Sequence, residues 1–171
     1  VENFLDMMAA ERGAAENTLD SSRRDLEDFS GFLSGRRRSA EDASTDHVRA
    51  YLKAMSELGL APSTAARRLS TLRQFFKFLY DERVRADDPT TTIDSPRLGR
   101  SLPKYLSEDD VDLLLQTATE IPGAVGLRMT ALMEILYATG LRVSELVSLP
   151  KSALSRDGNV VVVRGKGGKE R

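Results

Sequence analysis

The stretch from residue 81 to 106, DERVRADDPTTTIDSPRLGRSLPKYL, carries three of the chain's 6 prolines and no helical period. Proline removes a backbone donor and bars the residue before it from helical geometry, so no helix can run through such a segment. The chain is therefore expected to fold as two bodies on either side of a linker. The boundaries read from the sequence are a first domain over 1–85, a linker over 86–106 and a second domain over 107–171.

Four amphipathic helices are legible before residue 85. The first runs from about Glu2 to Arg12 with Phe4, Leu5 and Met8 on one face and Gly13 as its stop. The second follows Asn17 and Thr18 as caps, and Leu26, Phe29, Phe32 and Leu33 keep the alternating spacing of a buried stripe. After an Arg36-Arg37-Arg38 loop, the third begins at Ser44 or Thr45 and buries Val48, Tyr51, Leu52, Met55 and Leu58 before Gly59. The fourth starts beyond Pro62, with Ser63 as cap, and reaches about Tyr80.

Beyond the linker, Ser107 caps a helix whose first turn is Glu108, Asp109 and Asp110, acids that suit the positive end of the helix dipole. An apolar helix over about Gly123 to Ala138 closes at Gly140, and a short one runs from near Arg142 to before Pro150. The period then changes. Val160 to Arg164 is β-branched and followed by Gly165-Lys166-Gly167-Gly168, which reads as a strand entering a hairpin. The partner strand is barely begun at Arg171, so the sequence is expected to be a truncated piece of a longer chain.

Composition closes several routes to function. With 0 Cys there is no disulfide framework, thiolate metal site or cysteine nucleophile, and a single His47 leaves no multi-histidine metal site within these residues. No cofactor or metal is expected. The apolar runs are too short to span a bilayer, and the N-terminus carries acids where a secretion signal carries bases, so no membrane partner and a cytoplasmic location are expected. The formal net charge is only -1, yet it is partitioned. Residues 61–104 hold 9 Lys and Arg against 5 acids, and 151–171 hold 6 against 2, whereas 1–60 and 105–150 are acidic. Such partition can focus a polyanion on chosen surfaces; solvated faces with no partner are the alternative.

Three segments carry chemistry. In the fourth helix, Leu69, Leu72, Phe76 and Leu79 form the apolar arc, and Arg67, Ser70, Gln74 and Lys77 lie opposite with Arg73 on the flank. The helix holds no acid before Asp81. Arg and Gln suit base edges in a major groove, and Lys and Ser suit phosphates, so this face is a DNA-contact candidate; a merely solvated basic face remains the other reading. Arg68 falls near the apolar arc and reads as a packing or interdomain residue. The second segment, Ala138-Thr139-Gly140-Leu141-Arg142-Val143-Ser144-Glu145-Leu146, sets a guanidinium beside the free amides of a helix start, where an anion can be held, or alternatively a surface Arg142–Glu145 pair. In the third, Arg164-Gly165-Lys166-Gly167-Gly168-Lys169, glycines free a turn to bring Lys166 close to a phosphate or leaving oxygen. It lacks a Walker pattern, and a plain flexible hairpin tip is the alternative.

Taken together, ERGAAENTLDSSRRDL, STAARRLSTLRQFFKFLYDE, DDPTTTIDSPRLGRSLPKYLSEDDVDLLL, ATGLRVSELVSL and VVVRGKGGKER resemble, in order and spacing, the tyrosine site-specific recombinases and within them the Xer family. The resemblance runs nearly end to end. It implies a mainly α chain in which an N-terminal four-helix core-binding (SAM-like) domain is joined by a linker to a truncated α+β catalytic domain ending in a β-hairpin. The first domain of such proteins clamps DNA from one side and the catalytic domain from the other.

By the same resemblance, Arg142 is a catalytic arginine on the scissile phosphate, Lys166 the hairpin lysine that protonates the leaving 5′ oxygen, and Glu145 an orienting residue beside them. The implied reaction is strand cleavage and rejoining through a 3′-phosphotyrosyl intermediate, with no metal, in chromosome dimer resolution. Implied partners are a double-stranded DNA recombination site, a partner Xer-type recombinase in a heterotetramer, and a DNA translocase activator received through a missing C-terminal region. The family's His-x-x-Arg motif, its later His or Trp and its nucleophilic Tyr have no counterpart in these residues. Tyr51, Tyr80, Tyr105 and Tyr137 stand in core or boundary contexts, so these 171 residues are expected not to cleave DNA. A phage or transposon integrase, a DNA-binding protein that never cleaves and a helical protein-interaction module are the rival readings.

Overall fold

The structure, a computed structural model, describes residues 1–97, 99, 105–155 and 160–163. It divides into two compact units, Val1–Ser101 and Leu102–Arg171.

The first unit is built from α1 (Glu2–Ala10), α2 (Glu16–Ser34), α3 (Thr45–Glu57) and α4 (Pro62–Asp81). α4 lies at its centre, packed against both α2 and α3. Its Leu69, Leu72 and Phe76 meet Leu26, Phe29 and Leu33 of α2 and Val48, Tyr51 and Met55 of α3, all withdrawn from water, and Phe4, Leu5 and Met8 of α1 close the core. Each large side chain so buried contributes about 1.5–3 kcal/mol. The aromatic rings meet edge to face, Phe29 with Tyr51 at 5.0 Å and Phe4 with Phe75 at 5.4 Å between centroids.

Two helix starts differ from expectation. α2 begins at Glu16 rather than after Asn17 and Thr18, because the left-handed turn at Gly13 (φ 58°) leaves Ala15 extended as the N-cap and puts Glu16 in the first turn, where its charge suits the helix dipole. α4 begins at Pro62 itself, since proline at the first helical position gives up no hydrogen bond the helix would use. α3 starts as expected: the Ser44 N–H donates to His47 Nδ1 at 3.0 Å, closing a capping arrangement.

The segment read as a linker over 86–106 is packed onto the first unit through its earlier part. Pro89 and Thr90 are fully buried, and Ile93 joins the helical core. Asp88 Oδ1 accepts from both the backbone N–H and the hydroxyl of Thr90, at 2.8 and 2.7 Å, making a local turn that needs no helix. Arg73 of α4 then donates to the Ile93 carbonyl and, at 2.9 Å, to Ser95 Oγ. Arg85, almost wholly buried, donates to the carbonyls of Ala40, Glu41 and Ala43, tying the end of α4 to the α2–α3 loop.

The second unit contains α5 (Glu108–Glu120), α6 (Gly123–Thr139), α7 (Val143–Val147) and a 3-10 turn over Lys151–Ala153. Ser107 Oγ accepts from the Asp110 N–H at 3.2 Å, and Asp110 Oδ2 accepts from the Ser107 hydroxyl at 2.6 Å and from the Ser107 N–H at 3.0 Å; these last two bonds, the hydroxyl's first, hold the Asp110 carboxyl below its usual range. The turn into α6 is tight enough that a side chain at Gly126 would collide with the Ile121 carbonyl oxygen, 1.7 Å from where its Cβ would stand. α6 closes at Gly140 in the left-handed region (φ 62°). Leu141, Leu146 and Val163 form a small core backed by Leu132, Ile135 and Leu136.

The strand expected over Val160–Arg164 appears among the described residues only as a single antiparallel bridge, and its partner is Leu154, before it in the chain. Val162 N–H donates to the Ala153 carbonyl and the Val160 carbonyl accepts from the Ser155 N–H, so residues 153–155 pair with this segment from its earlier side. The glycine turn beyond it lies outside the described residues. No helix among the described residues is long and apolar enough to cross a membrane.

A carboxylate is buried inside the first unit. Asp25 of α2 is 3% exposed and accepts from both terminal nitrogens of Arg67 and from Thr71 Oγ1 at 2.9 Å. Removing a buried partner leaves the other groups without compensation, so Asp25→Ala is expected to cost about 3 kcal/mol. Removing the exposed Lys77–Asp81 pair through Lys77→Ala should cost less than about 0.5 kcal/mol. Urea unfolding of the two variants beside the unsubstituted chain measures both.

Candidate nucleic-acid interface and phosphate site

The five residues expected to face DNA lie on α4, but its partners divide them. Arg67 is half exposed and held by Asp25, with a further bond from its Nη1 to Ser21 Oγ at 2.9 Å. Arg73 is spent on the Ile93 carbonyl and Ser95. Lys77 pairs with Asp81, four residues on, at 3.0 Å. Ser70 is exposed and offers its hydroxyl to solvent. Gln74 is half buried; its Oε1 accepts from Arg12 Nη1 at 3.1 Å and its Nε2 faces the Ser70 carbonyl at 3.4 Å.

The acid-free face read from α4 alone is thus supplied with acid by α2. The signal lay in α2, where Asp25 falls beside Leu26 and ahead of Phe29 and Leu33 in the apolar stripe, a position a carboxylate occupies only with a partner. Arg12, which the sequence places at the end of the first helix, stands past α1 instead, on the turn before Gly13.

Arg68 packs inside the unit, as its place near the apolar arc implied. It donates to Asp28 and to the Tyr51 hydroxyl oxygen at 2.8 Å, and its Nε lies 3.7 Å from Asp25 Oδ1. Tyr51 in turn donates to Asp28 Oδ2 at 2.6 Å. Burial and the Asp28 carboxylate push the Tyr51 hydroxyl well above its ordinary pKa, against the opposing pull of Arg68. For Arg68, burial works against the charge, yet Tyr51 and the two carboxylates outweigh it and the guanidinium is held above its usual value. Tyr51 is therefore locked as a neutral structural hydroxyl.

In the second unit Gly140 ends α6 and Arg142 takes an extended conformation as the N-cap of α7. Glu145, one turn on, accepts from the Arg142 N–H at 2.9 Å with one carboxylate oxygen and from Arg142 Nη1 at 3.1 Å with the other. The guanidinium is nonetheless 64% exposed while the glutamate is 12% exposed. The carboxylate thus grips an arginine whose other donors face outward. Ser144, Glu145, Ser148, Ser152 and Val163 line an open cleft beside it. Lys166, the other residue expected here, lies outside the described residues.

Comparison with known proteins follows the same division. Residues 1–83 match the phage integrase N-terminal SAM-like domain, and residues 104–171 match the phage integrase family. The tyrosine recombinase XerD of Rhizobium meliloti (strain 1021) is 54% identical over 178 residues, covering 100% of this chain and 57% of that protein. XerD of Caulobacter vibrioides is 48% identical over 168 residues, covering 98% and 55%. The chain spans a little over half the length of these curated relatives. Among solved structures, lambda integrase (75–356) as a dimer bound to a COC′ core site superposes with a TM-score of 0.77 at 20% identity, covering 100% of this chain and 60% of that one. The XerH site-specific recombinase bound to a palindromic difH substrate gives 0.72 at 20% identity, covering 94% and 49%.

Arg67 and Gln74 are expected to separate under substitution. Arg67→Ala leaves Asp25 buried without its main partner and should lower the unfolding midpoint together with affinity for any DNA duplex. Gln74→Ala should leave stability within about 0.5 kcal/mol and weaken discrimination between specific and random duplexes about 5- to 100-fold. Thermal melting and fluorescence titration of both variants provide the comparison.

Proposed function

The chain belongs to the phage integrase family of tyrosine recombinases, and on that premise we propose that it is the core-binding domain and the first part of the catalytic domain of a Xer-type recombinase that breaks and rejoins DNA through a 3′-phosphotyrosyl intermediate. The observation that carries the reading is Arg142, exposed at the start of α7 and gripped from below by Glu145 within the ATGLRVSEL motif. A guanidinium so fixed can bind two nonbridging oxygens of one phosphate and stabilise the charge that accumulates as the phosphorus becomes five-coordinate. Glu145 acts by orientation: it holds both the backbone and the side chain of Arg142 and does not touch the reacting atoms.

Lys166 is proposed as the general acid. Attack by a tyrosine oxygen on phosphorus forms the phosphotyrosyl bond and breaks the bond to the 5′ oxygen, which takes up a proton as it leaves. Cationic side chains supply the positive charge of this step. We place the DNA-facing side of the first unit on α4, with Ser70 and Gln74 toward the groove, Lys77 toward phosphate, and Arg67 and Arg73 holding that face in shape through Asp25 and Ile93. The intact protein is proposed to act in the cytoplasm on a double-stranded recombination site in chromosome dimer resolution, in a heterotetramer with a second Xer-type recombinase and under a DNA translocase.

None of the tyrosines is proposed as the nucleophile. Tyr51 is locked in the first unit by Asp28 and Arg68, and Tyr80, Tyr105 and Tyr137 are exposed, with no basic or anion-binding group bonded to them among the described residues. Incubating these 171 residues with a nicked suicide substrate should give no covalent band on denaturing electrophoresis; a band would overturn that assignment. In the full-length recombinase, Lys166→Ala should regain much of its cleavage rate on a 5′-bridging phosphorothiolate, whose sulfur leaves without protonation, and Arg142→Ala should regain far less. Single-turnover rates on the oxygen and sulfur substrates test this, and equal rescue would remove Lys166 from the role of proton donor.

A further inference from the structure

The side of α4 that carries Gln74 also carries a charge that comes from another helix. Arg12 stands just past α1, before the left-handed turn at Gly13, exposed and with no carboxylate paired to it among the described residues. The cations of α4 itself are differently placed: Arg67 is offset by Asp25, Arg68 by Asp28 and Lys77 by Asp81, and Arg73 is spent on Ile93 and Ser95. Arg73 and Arg12 are thus the cations beside Gln74 with no carboxylate paired to them among the described residues, and of the two Arg12 is the one bonded to Gln74 itself.

The bond between them fixes more than position. A guanidinium only donates, so the atom of Gln74 that meets Arg12 at 3.1 Å must be its oxygen, and the amide can have only one orientation. A free glutamine reads adenine by accepting from N6 and donating to N7. In Gln74 one of the two lone pairs of the accepting atom is engaged by Arg12, while one Nε2 hydrogen points to the Ser70 carbonyl and the other remains to donate. Arg12 adds its own unspent donors. The pair thus presents more donors than acceptors, and the base edge that offers two acceptors, N7 and O6, is that of guanine, whereas the N6 amino group of adenine would meet the Arg12 donors.

We infer that Arg12 and Gln74 form a single guanine-reading pair in the major groove, with Arg12 as a specificity-determining residue contributed by the α1–α2 turn. The inference rests on the reading of α4 as the groove-facing helix. Arg12 acts in two ways: it contacts the guanine edge, and its donors beside the Gln74 oxygen oppose the N6 amino group of adenine.

The test uses the 171-residue chain, with Arg12→Ala, Gln74→Ala and the double variant, each first shown to retain its helical circular dichroism. A randomised duplex pool is selected with the unsubstituted chain, and four duplexes differing only at the base pair whose selection is lost in Gln74→Ala are then titrated at two salt concentrations. Arg12→Ala is expected to lose about 10- to 100-fold of the preference for guanine there and to gain relative affinity for adenine, because the donors that oppose N6 are then gone. The double variant should show no preference between the two purines. If Arg12→Ala keeps the guanine preference and only shallows the salt dependence by about one phosphate's worth, Arg12 is a backbone contact and the inference fails. If Gln74→Ala alters base preference and Arg12→Ala changes nothing, the inference fails while the groove-facing reading of α4 stands. If neither variant alters affinity for any duplex, that reading fails and the inference with it.

Discussion

A carboxylate inside a helical core is tolerated only when its charge is met, and the first unit is arranged around one that is. Asp25 accepts from Arg67 and Thr71 on α4 and lies within ion-pair distance of Arg68. Three residues of α4 within five positions therefore converge on one residue of α2, which fixes the rotation of α4 about its own axis as well as its distance. A hydrophobic interface alone would permit α4 to slip or turn, since apolar contacts carry little directional information. With its rotation fixed, α4 has one set of side chains that must face outward, and these include Ser70 and Gln74.

The same arrangement explains what was legible in the sequence and what was not. The four helices of the first unit follow from apolar residues at helical spacing, and their ends from Gly13, Ser44, Gly59 and Pro62. The two starts that moved did so because backbone geometry, the left-handed Gly13 and the proline ring of Pro62, outweighed a side-chain cap. The packing of the segment after residue 85 was not legible for a related reason. Prolines forbid helix, but they do not forbid burial, and Pro89, Thr90 and Ile93 pack against the helices without any period to announce it. Short-range pattern shows which residues form a helix; it is silent on which irregular segment lies over that helix.

The candidate sites divide along the same line. Arg142 and Glu145 are three residues apart, so their pairing and the cap at α7 were within reach of the sequence, and the two readings held open there prove compatible: the pair exists, and the guanidinium remains exposed. The α4 face was not within reach. Its partners, Asp25, Ser21 and Arg12, are 42, 46 and 62 residues away in the chain, and no periodicity within α4 can reveal them.

Distance along the chain also governs where usable charge resides. Helix packing brings the flank of one helix against another, so a cation on a packed helix tends to meet an acid from its neighbour, as Arg67 and Arg68 meet Asp25 and Asp28. A cation on a turn is not carried into such an interface. Arg12 and Arg37, on the turns after α1 and α2, have no carboxylate paired to them among the described residues. A unit whose first 60 residues are acidic on count can thus present positive charge to a polyanion at particular places, because Asp25 and Asp28 are consumed between helices while Arg12 and Arg37 have no carboxylate paired to them among the described residues. Net charge sums over both populations; recognition depends only on the second.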